Sequence, residues 1–420
     1  MKKLQVLIII LILSASNIYA GNYFTLIAQL SSTPSSFAFG QNNIMFAGTL
    51  GSGVYRSTNY GDSWVQVNSG LTDLSIYSLA VNSSGNIFAG TAEGKVFFSS
   101  NNGNTWIITG LNVNSKVKTI AINPSGHIFA GTNGKGIYRS INNGSSWVKV
   151  GEPIDIYIIA INGTGVLFAG TRLPEQAVYK SVDNGNSWNP VYTGEHNFNS
   201  LAINHKGYVY TATGNLNTNL LGDFIAYSKD TGTSWEVPST FGTSSYGLVI
   251  NSRGDLFLGR YKCVWVSTDD GENWVIESSG LEPDYGRLIS YGINPLGYLY
   301  AGQEGGYVYR TTFTTIGIEN LGTGIPVNYN LYQNYPNPFN PSTTIKFDVP
   351  YSSLSFGEGL RVRLTIYDVL GKEIAVLVNE GLKPGSYQVK WNASGYSSGV
   401  YYYKLVSGDF SQTRKMVLIK

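Results

Sequence analysis

The chain has 420 residues, with 28 Lys and Arg against 26 Asp and Glu and a net charge of +2. So even a balance offers no field for a polyanion, which excludes nucleic acid as a partner. With 13% charged residues, 50 Gly and 30 Tyr the composition suits turns and strands, and one cysteine, Cys263, leaves no intrachain disulfide to form.

Lys2 and Lys3 precede an apolar stretch from Val6 to Leu13, and small and polar residues then lead to Ala20. This pattern predicts a secretory signal peptide over residues 1–20, with a mature chain starting near Gly21. The apolar run is too short for an ordinary bilayer anchor.

Repeats organise the chain from there to about residue 313, and a period of roughly 40 residues points to a propeller or a solenoid. Phe46-Ala47-Gly48-Thr49 returns at Phe88, Phe129 and Phe168, then decays through Tyr210-Thr211-Ala212-Thr213, Phe257-Leu258-Gly259-Arg260 and Tyr300-Ala301-Gly302-Gln303, seven copies in all. Most copies follow an alternating strand and a tight turn, as in Leu79 to Gly85, Asn123 to Gly126 or Asn204 to Gly207. A third strand comes next, as in Val54-Tyr55-Arg56. Arg56, Arg139, Lys180 and Arg310 share one slot of that strand, which reads as a solvated face. Cys263 fills the slot of Gly53, Gly136 and Ala177 and reads as an inert buried thiol.

A second phrase closes each unit. Ser-x-Asp/Asn-x-Gly-x-x-Trp occurs six times, carried by Asn59 and Trp64, Asn101 and Trp106, Asn142 and Trp147, Asp183 and Trp188, Asp230 and Trp235, and Asp269 and Trp274. The Asn or Asp side chain ties the turn to backbone N–H groups, Gly supplies positive φ, and the Trp covers the blade on the fourth strand. Asn stands in half the copies, so the acids are read as structural and not as catalytic or metal-binding groups. The phrase resembles the Asp-box (bacterial neuraminidase) repeat, which implies four-stranded blades. The seventh unit stops after Val308-Tyr309-Arg310 without a fourth strand. Tyr23 to Gln29 is expected to supply it, with Phe24 in the Trp slot, closing a seven-bladed ring.

Residues 314–330 read as a linker, and from Leu331 the chain changes character. Strands are predicted over Thr343 to Val349, Arg361 to Tyr367, Glu373 to Val378, Ser386 to Trp391, Val400 to Val406 and Thr413 to Ile419, forming a small Ig-like β-sandwich over 331–420. Its opening phrase, Leu331 to Pro341, together with Ile366 to Gly371, Trp391 to Gly395, Ser398 to Tyr401 and Lys415 to Lys420, resembles the type IX secretion (Por) C-terminal sorting domain. That resemblance implies passage across the outer membrane, the secretion machinery as a partner, and a secreted or surface location. The fold class expected is therefore all-β, a seven-bladed β-propeller followed by a small Ig-like sandwich.

Ligand sites in a propeller favour the face opposite the Asp boxes. Loops there are longest at Arg172 to Ala177, Tyr192 to Asn199, Gly214 to Asp223 and Ser279 to Leu288. The candidate binding residues are Arg172, Glu175, Glu195, His196, Asp223, Arg260, Asp284, Tyr285, Arg287 and Glu304. Sialidases share the Asp box and need three arginines on a carboxylate, for which Arg172, Arg260 and Arg287 are the available set; their Arg-Ile-Pro phrase is missing near the start. Xyloglucan hydrolases with Asp boxes use two propellers, and this chain has room for one. The photosystem II assembly-factor family has similar single propellers, but the sorting domain argues against that role. No metal, cofactor or catalytic residue is expected, and a monomer is. The leading expectation is a binding or scaffold module for extracellular glycan or protein; the alternative is an extracellular glycoside hydrolase, sialidase-like or xyloglucanase-like.

Overall fold

A computed structural model describes residues 23–41, 44–151, 155–194, 196–214, 223–241, 245–281, 286–295, 297–312, 319–320, 326–350, 360–382 and 384–420. The leader expected over 1–20 lies outside them.

Seven four-stranded antiparallel sheets follow one another along the chain. Blade 1 is Pro34–Phe39, Met45–Thr49, Gly53–Ser57 and Val65–Gln66, and blades 2 to 6 repeat its order. Blade 7 takes Leu288–Ile293, Leu299–Gln303 and Tyr307–Thr311 from one end of the propeller and Phe24–Gln29 from the other. Phe24 lies opposite Thr311 and Gln29 opposite Tyr307, so the expected exchange of strands closes the ring. Across that seam Ser290 Oγ donates to Pro34 O at 2.8 Å, and Arg310 Nη1 donates to Tyr60 O at 2.7 Å.

The repeated Phe-Ala-Gly-Thr strand is the buried layer of each blade: Phe46, Phe88, Phe129 and Phe168 are almost wholly inaccessible. Its glycine answers to a close approach. A Cβ at Gly131 would stand 2.5 Å from Ile156 Cγ2, on the inner strand of the next blade, and one at Gly48 would stand 2.6 Å from Ile76 Cγ2. Blades can nest only where that Cβ is missing.

In the Ser-x-Asn/Asp turns, Gly61 N donates to Ser57 Oγ at 2.9 Å and Ser63 N donates to Asn59 Oδ1 at 3.0 Å. The same bonds recur at Asp183, where Gly185 N reaches Ser181 Oγ and Ser187 N reaches Asp183 Oδ1, each at 2.9 Å. What differs is the second atom. Asn59 Nδ2 donates to Ser63 Oγ, whereas Ser187 Oγ donates to Asp183 Oδ2. A hydroxyl serves either way round, so Asn and Asp are interchangeable in this slot.

One reading of the strands needs correction. Arg56, Arg139, Lys180 and Arg310 do not form a solvated face; each reaches the turn of the following blade. Arg56 Nη1 donates to Asn102 O and Asn104 Oδ1, both at 2.7 Å, Arg139 Nη1 to Asn184 O at 2.6 Å, and Lys180 Nζ to Thr231 O at 2.6 Å. The blades fan outward from the axis, and a long side chain bridges the gap they leave; in blade 5 Tyr227 does so, its hydroxyl donating to Glu272 Oε1 at 3.0 Å.

The tail is a sandwich of two four-stranded sheets. Asn330–Leu331, Ser342–Val349, Gly385–Asn392 and Glu319–Asn320 form one; Glu373–Leu382, Leu360–Tyr367, Gly399–Ser407 and Phe410–Leu418 form the other. Glu319–Asn320, inside the segment read as linker, pairs with Gln388 and Tyr387 as an edge strand. Between the sheets lie Phe339, Ile345, Phe347, Leu364, Tyr403, Met416 and Leu418. Most of the loop from Tyr351 to Leu360 lies outside the described residues. Propeller and tail meet where the Tyr60 and Tyr396 rings stack, their centroids 6.5 Å apart.

Candidate functional site

The first strand of each blade lines the central channel, and in six blades the register slips by one residue near its start. The bulged residues are Ser35, Tyr77, Lys118, Tyr157, Asn199 and Ile289; Tyr246 holds the equivalent place in blade 6. A bulge leaves its residue out of the ladder and turns its side chain away from the neighbouring strand. Because strands enter the channel from the loop face, these side chains ring that mouth.

Three successive rim positions form a cation–aromatic stack. Lys118 Nζ sits 4.4 Å from the Tyr77 ring centroid and 5.3 Å from that of Tyr157. Lys116 approaches Tyr77 at 5.2 Å, and the Arg172 guanidinium lies 3.5 Å from the Tyr157 centroid. Arg172 is fixed edge-on by Asn199 Oδ1, which accepts from Nε at 3.1 Å and from Nη2 at 2.8 Å. Asn199, 4% exposed, is itself anchored by donating Nδ2 to Gly214 O and Ser245 O. Burial, with Arg172 and Lys116 close by and Asp155 opposing, brings the Lys118 ammonium down to about 8.

The remaining candidates are distributed differently. Arg287 and Glu304 form a tight pair: Arg287 Nε donates to Glu304 Oε1 at 2.7 Å and its backbone N–H to Oε2 at 3.0 Å. Burial alone would raise the Glu304 carboxyl, but Arg287 holds it below its usual value. Arg260, 6% exposed, stacks over Trp265 at 5.3 Å. Arg172, Arg260 and Arg287 thus have separate partners instead of a shared one. Glu175 lies in the turn after Arg172, to whose carbonyl it donates its N–H at 3.1 Å, and His196 is half-buried before Phe198–Ile203. Asp223 opens the strand Asp223–Ser228, while its side chain and the residues Glu195, Asp284 and Tyr285 lie outside the described set. Cys263 is half-buried, and burial pushes its thiol up, away from the reactive thiolate. At the opposite mouth a cavity of 260 Å³ is lined by Phe39, Ile250, Asn251, Ile293, Asn294 and Pro295. Among the described residues no cluster of three His, Cys, Asp or Glu is placed to hold a metal ion.

Sequence reasoning missed Tyr77, Lys116, Lys118, Tyr157 and Asn199. The signal was present in register: Tyr77, Lys118, Tyr157 and Asn199 each stand one place before the residue opposite the repeat glycine or its Ala212 equivalent.

In the tail, the opening phrase is a set of ties to the last strands. Buried Asn334 accepts from Gln333 Nε2 at 2.7 Å and donates Nδ2 to Pro336 O and Thr343 Oγ1 at 3.0 Å, and its N–H reaches Tyr403 Oη at 2.8 Å. Val417 N donates to Asn337 Oδ1 at 2.9 Å, and Lys420 Nζ donates to Ser394 O at 2.7 Å.

Residues 333–420 match the family described as the secretion system C-terminal sorting domain. The tail is therefore a sorting domain of the type IX pathway, and it marks the chain for secretion to the cell surface or the extracellular space. No curated protein matches the sequence. Among solved structures, YCF48 bound to D1 peptide is similar with a TM-score of 0.57 and 14% identity, over 69% of this chain and 97% of that one. PorZ, an essential bacterial surface component of the type IX secretion system of Porphyromonas gingivalis, gives 0.53 and 16%, over 93% of this chain; the chain spans 60% of PorZ. The GH74 xyloglucanase of Xanthomonas campestris gives 0.58 and 13%, over 91% of this chain and 79% of that one. At such identities the likeness is one of fold: a β-propeller.

Proposed function

We propose that the protein is an exported binding module, non-catalytic, whose propeller presents its loop face to an extracellular glycan or protein. The leader at 1–20 starts export and the sorting domain completes it through the type IX machinery. The observation that carries the reading is the rim stack. Lys118 and Arg172 are held in place by aromatic rings and by Asn199, with hydrogen-bonding capacity turned outward, while Arg287 and Glu304 spend theirs on each other. Ordered polar groups beside half-buried tyrosine rings are the composition of a recognition surface.

A glycan array on the mature chain, followed by turnover assays on every hit, tests this. Retained binding without product is expected. Product release that is lost on alanine replacement of Glu175, Asp223, Asp284 or Glu304 would overturn it in favour of a glycoside hydrolase.

A further inference from the structure

We infer that the channel rim of blades 2 to 4 binds the carboxylate of an acidic sugar, a uronate unit of an extracellular polysaccharide, between Lys118 and Arg172. The inference rests on the binding-module reading and gives that module a ligand class.

Three cations gather here, and the nearby acid, Asp155, forms no ion pair with them. Among the described residues none of Lys116, Lys118 and Arg172 has a carboxylate within ion-pair distance. Asp155, near enough to act on Lys118, has its Oδ1 engaged by Asn133 Nδ2 at 2.5 Å. The Lys118 ammonium, half-buried, faces two ring quadrupoles and no hydrogen-bond acceptor among the described residues. Rings recover only part of the hydration such a group gives up. An oxyanion supplies the rest.

The geometry suits a carboxylate. Arg172 uses Nε and Nη2 on Asn199, so its Nη1 edge has no partner among the described residues. Lys118 Nζ and the Arg172 guanidinium lie 5.3 Å and 3.5 Å from the Tyr157 centroid, so two charged donors flank one ring at the rim. Asn199 is a positioning residue: it keeps the guanidinium flat on the ring instead of letting it swing into solvent.

A peptide is the rival ligand, and the rim is poorly made for one. Extended peptides gain affinity by pairing with a free sheet edge. On four inner strands the free edge already has an N–H taken, since Ser36, Ser78, Thr119 and Ser200 accept from Leu79, Ile120, Ile159 and Leu248 on the following blades. What remains for recognition is side chains alone, tyrosine rings alternating with cations, which fits a pyranose bearing a charge.

Titration calorimetry on the mature chain would use oligogalacturonate and oligoalginate, their carboxyl-reduced counterparts, neutral xyloglucan oligosaccharides, and an acidic peptide with a free C-terminus. At least one uronate should bind, and its reduced form should not. Lys118→Met and Arg172→Gln should each weaken binding about tenfold or more, Asn199→Ala should weaken it while leaving the residual binding dependent on Lys118, and Lys149→Met, a distant exposed cation, should change nothing. The inference falls if reduced and acidic sugars bind equally, if Lys118→Met has no effect, or if the peptide alone binds. Neutral sugars binding independently of Lys118 would sink the acidic-sugar assignment and leave the binding-module reading standing; failure of every glycan and of the peptide would sink both.

Discussion

Leu79 donates its backbone N–H to the hydroxyl of Ser36, one blade back, at 3.0 Å. The relation is repeated by Ile120 on Ser78 at 2.8 Å, Ile159 on Thr119 at 3.3 Å and Leu248 on Ser200 at 2.8 Å. An inner strand has a sheet partner on one side only, so its other edge carries N–H groups without a ladder partner, and Leu79, Ile120, Ile159 and Leu248 are buried. The preceding blade supplies the acceptors. Ser78→Ala should therefore cost about 1–3 kcal/mol, the penalty of an orphaned buried donor, and more than the lost hydroxyl contact itself. Urea unfolding checks this. A cost below about 0.5 kcal/mol would mean that the edge finds another acceptor.

The six turns hold a second left-handed residue that the motif does not advertise. Tyr60, Asn102, Asn143, Asn184, Thr231 and Asp270 all have φ between 53° and 61°, immediately before the glycine. Asn and Asp tolerate that region; a β-branched threonine does not. Thr231→Asn should stabilise the protein by about 0.5–1 kcal/mol, and Thr231→Val should not. The carbonyl that accepts from Lys180 is kept in either variant. Equal melting temperatures for Asn and Val at this position would show that the strain is absorbed elsewhere.

The ring and its closure were legible because both rest on local repeats. A strand of fixed phrase, a turn of fixed chemistry and a missing fourth strand are all written within one unit. The rim stack was not, because it needs neighbours from three blades. Tyr77, Lys118 and Tyr157 look like solvent-side residues of alternating strands until the bulge is seen to turn them toward the channel. The same blindness misplaced Arg56, Arg139 and Lys180, whose partners lie 45 to 51 residues on, and Arg310, whose partner Tyr60 lies across the seam. Charge type was readable; partnership across blades was not. Arg172, Arg287 and Glu304 are readable as loop residues, but nothing in their spacing marks that Arg287 and Glu304 cancel.

Acid should divide the blades. In Asp183 the Ser187 hydroxyl and N–H, then Ser181, hold the carboxyl down at about 2, against a small opposing effect of burial. Asp230 is held lower still by Ser234 and Ser228, and Asp269 is lowered by Asn273 and Ser267 although burial opposes it. A carboxyl depressed in the folded state contributes stability that is present above its unfolded value of 3.8 and lost as pH falls through about 2. Asn59, Asn101 and Asn142 have nothing to titrate. Hydrogen exchange as the pH falls from about 4 to 2 should show the Ser187 and Asn273 amides losing protection before Ser234, whose carboxylate partner is held lower, while Ser63, Thr105 and Ser146 keep theirs. Asp183→Asn should remove the loss at Ser187, and uniform loss across all six turns would refute the account.

Lys118 predicts the opposite sign at the other end of the scale. Burial first, then Arg172 and Lys116, bring it from 10.5 to about 8, so its charge burdens the folded protein. Between those values the unfolded chain binds more protons, and stability rises with pH; below about 8 the penalty is present in full. Lys118→Met should then stabilise the ligand-free protein by about 1 kcal/mol at neutral pH, less than the whole shift is worth because solvent screens a half-exposed group. The gain over the parent should shrink as pH climbs to 10.5, which paired urea titrations at neutral and alkaline pH would follow. A variant less stable than the parent at neutral pH would mean that the ring contacts outweigh the buried charge. Saturating uronate should invert the order, since a bound carboxylate stabilises only the chain that keeps its ammonium. A residue that costs stability when empty and returns it when occupied is the behaviour expected of a binding group, and a purely structural lysine would not show it.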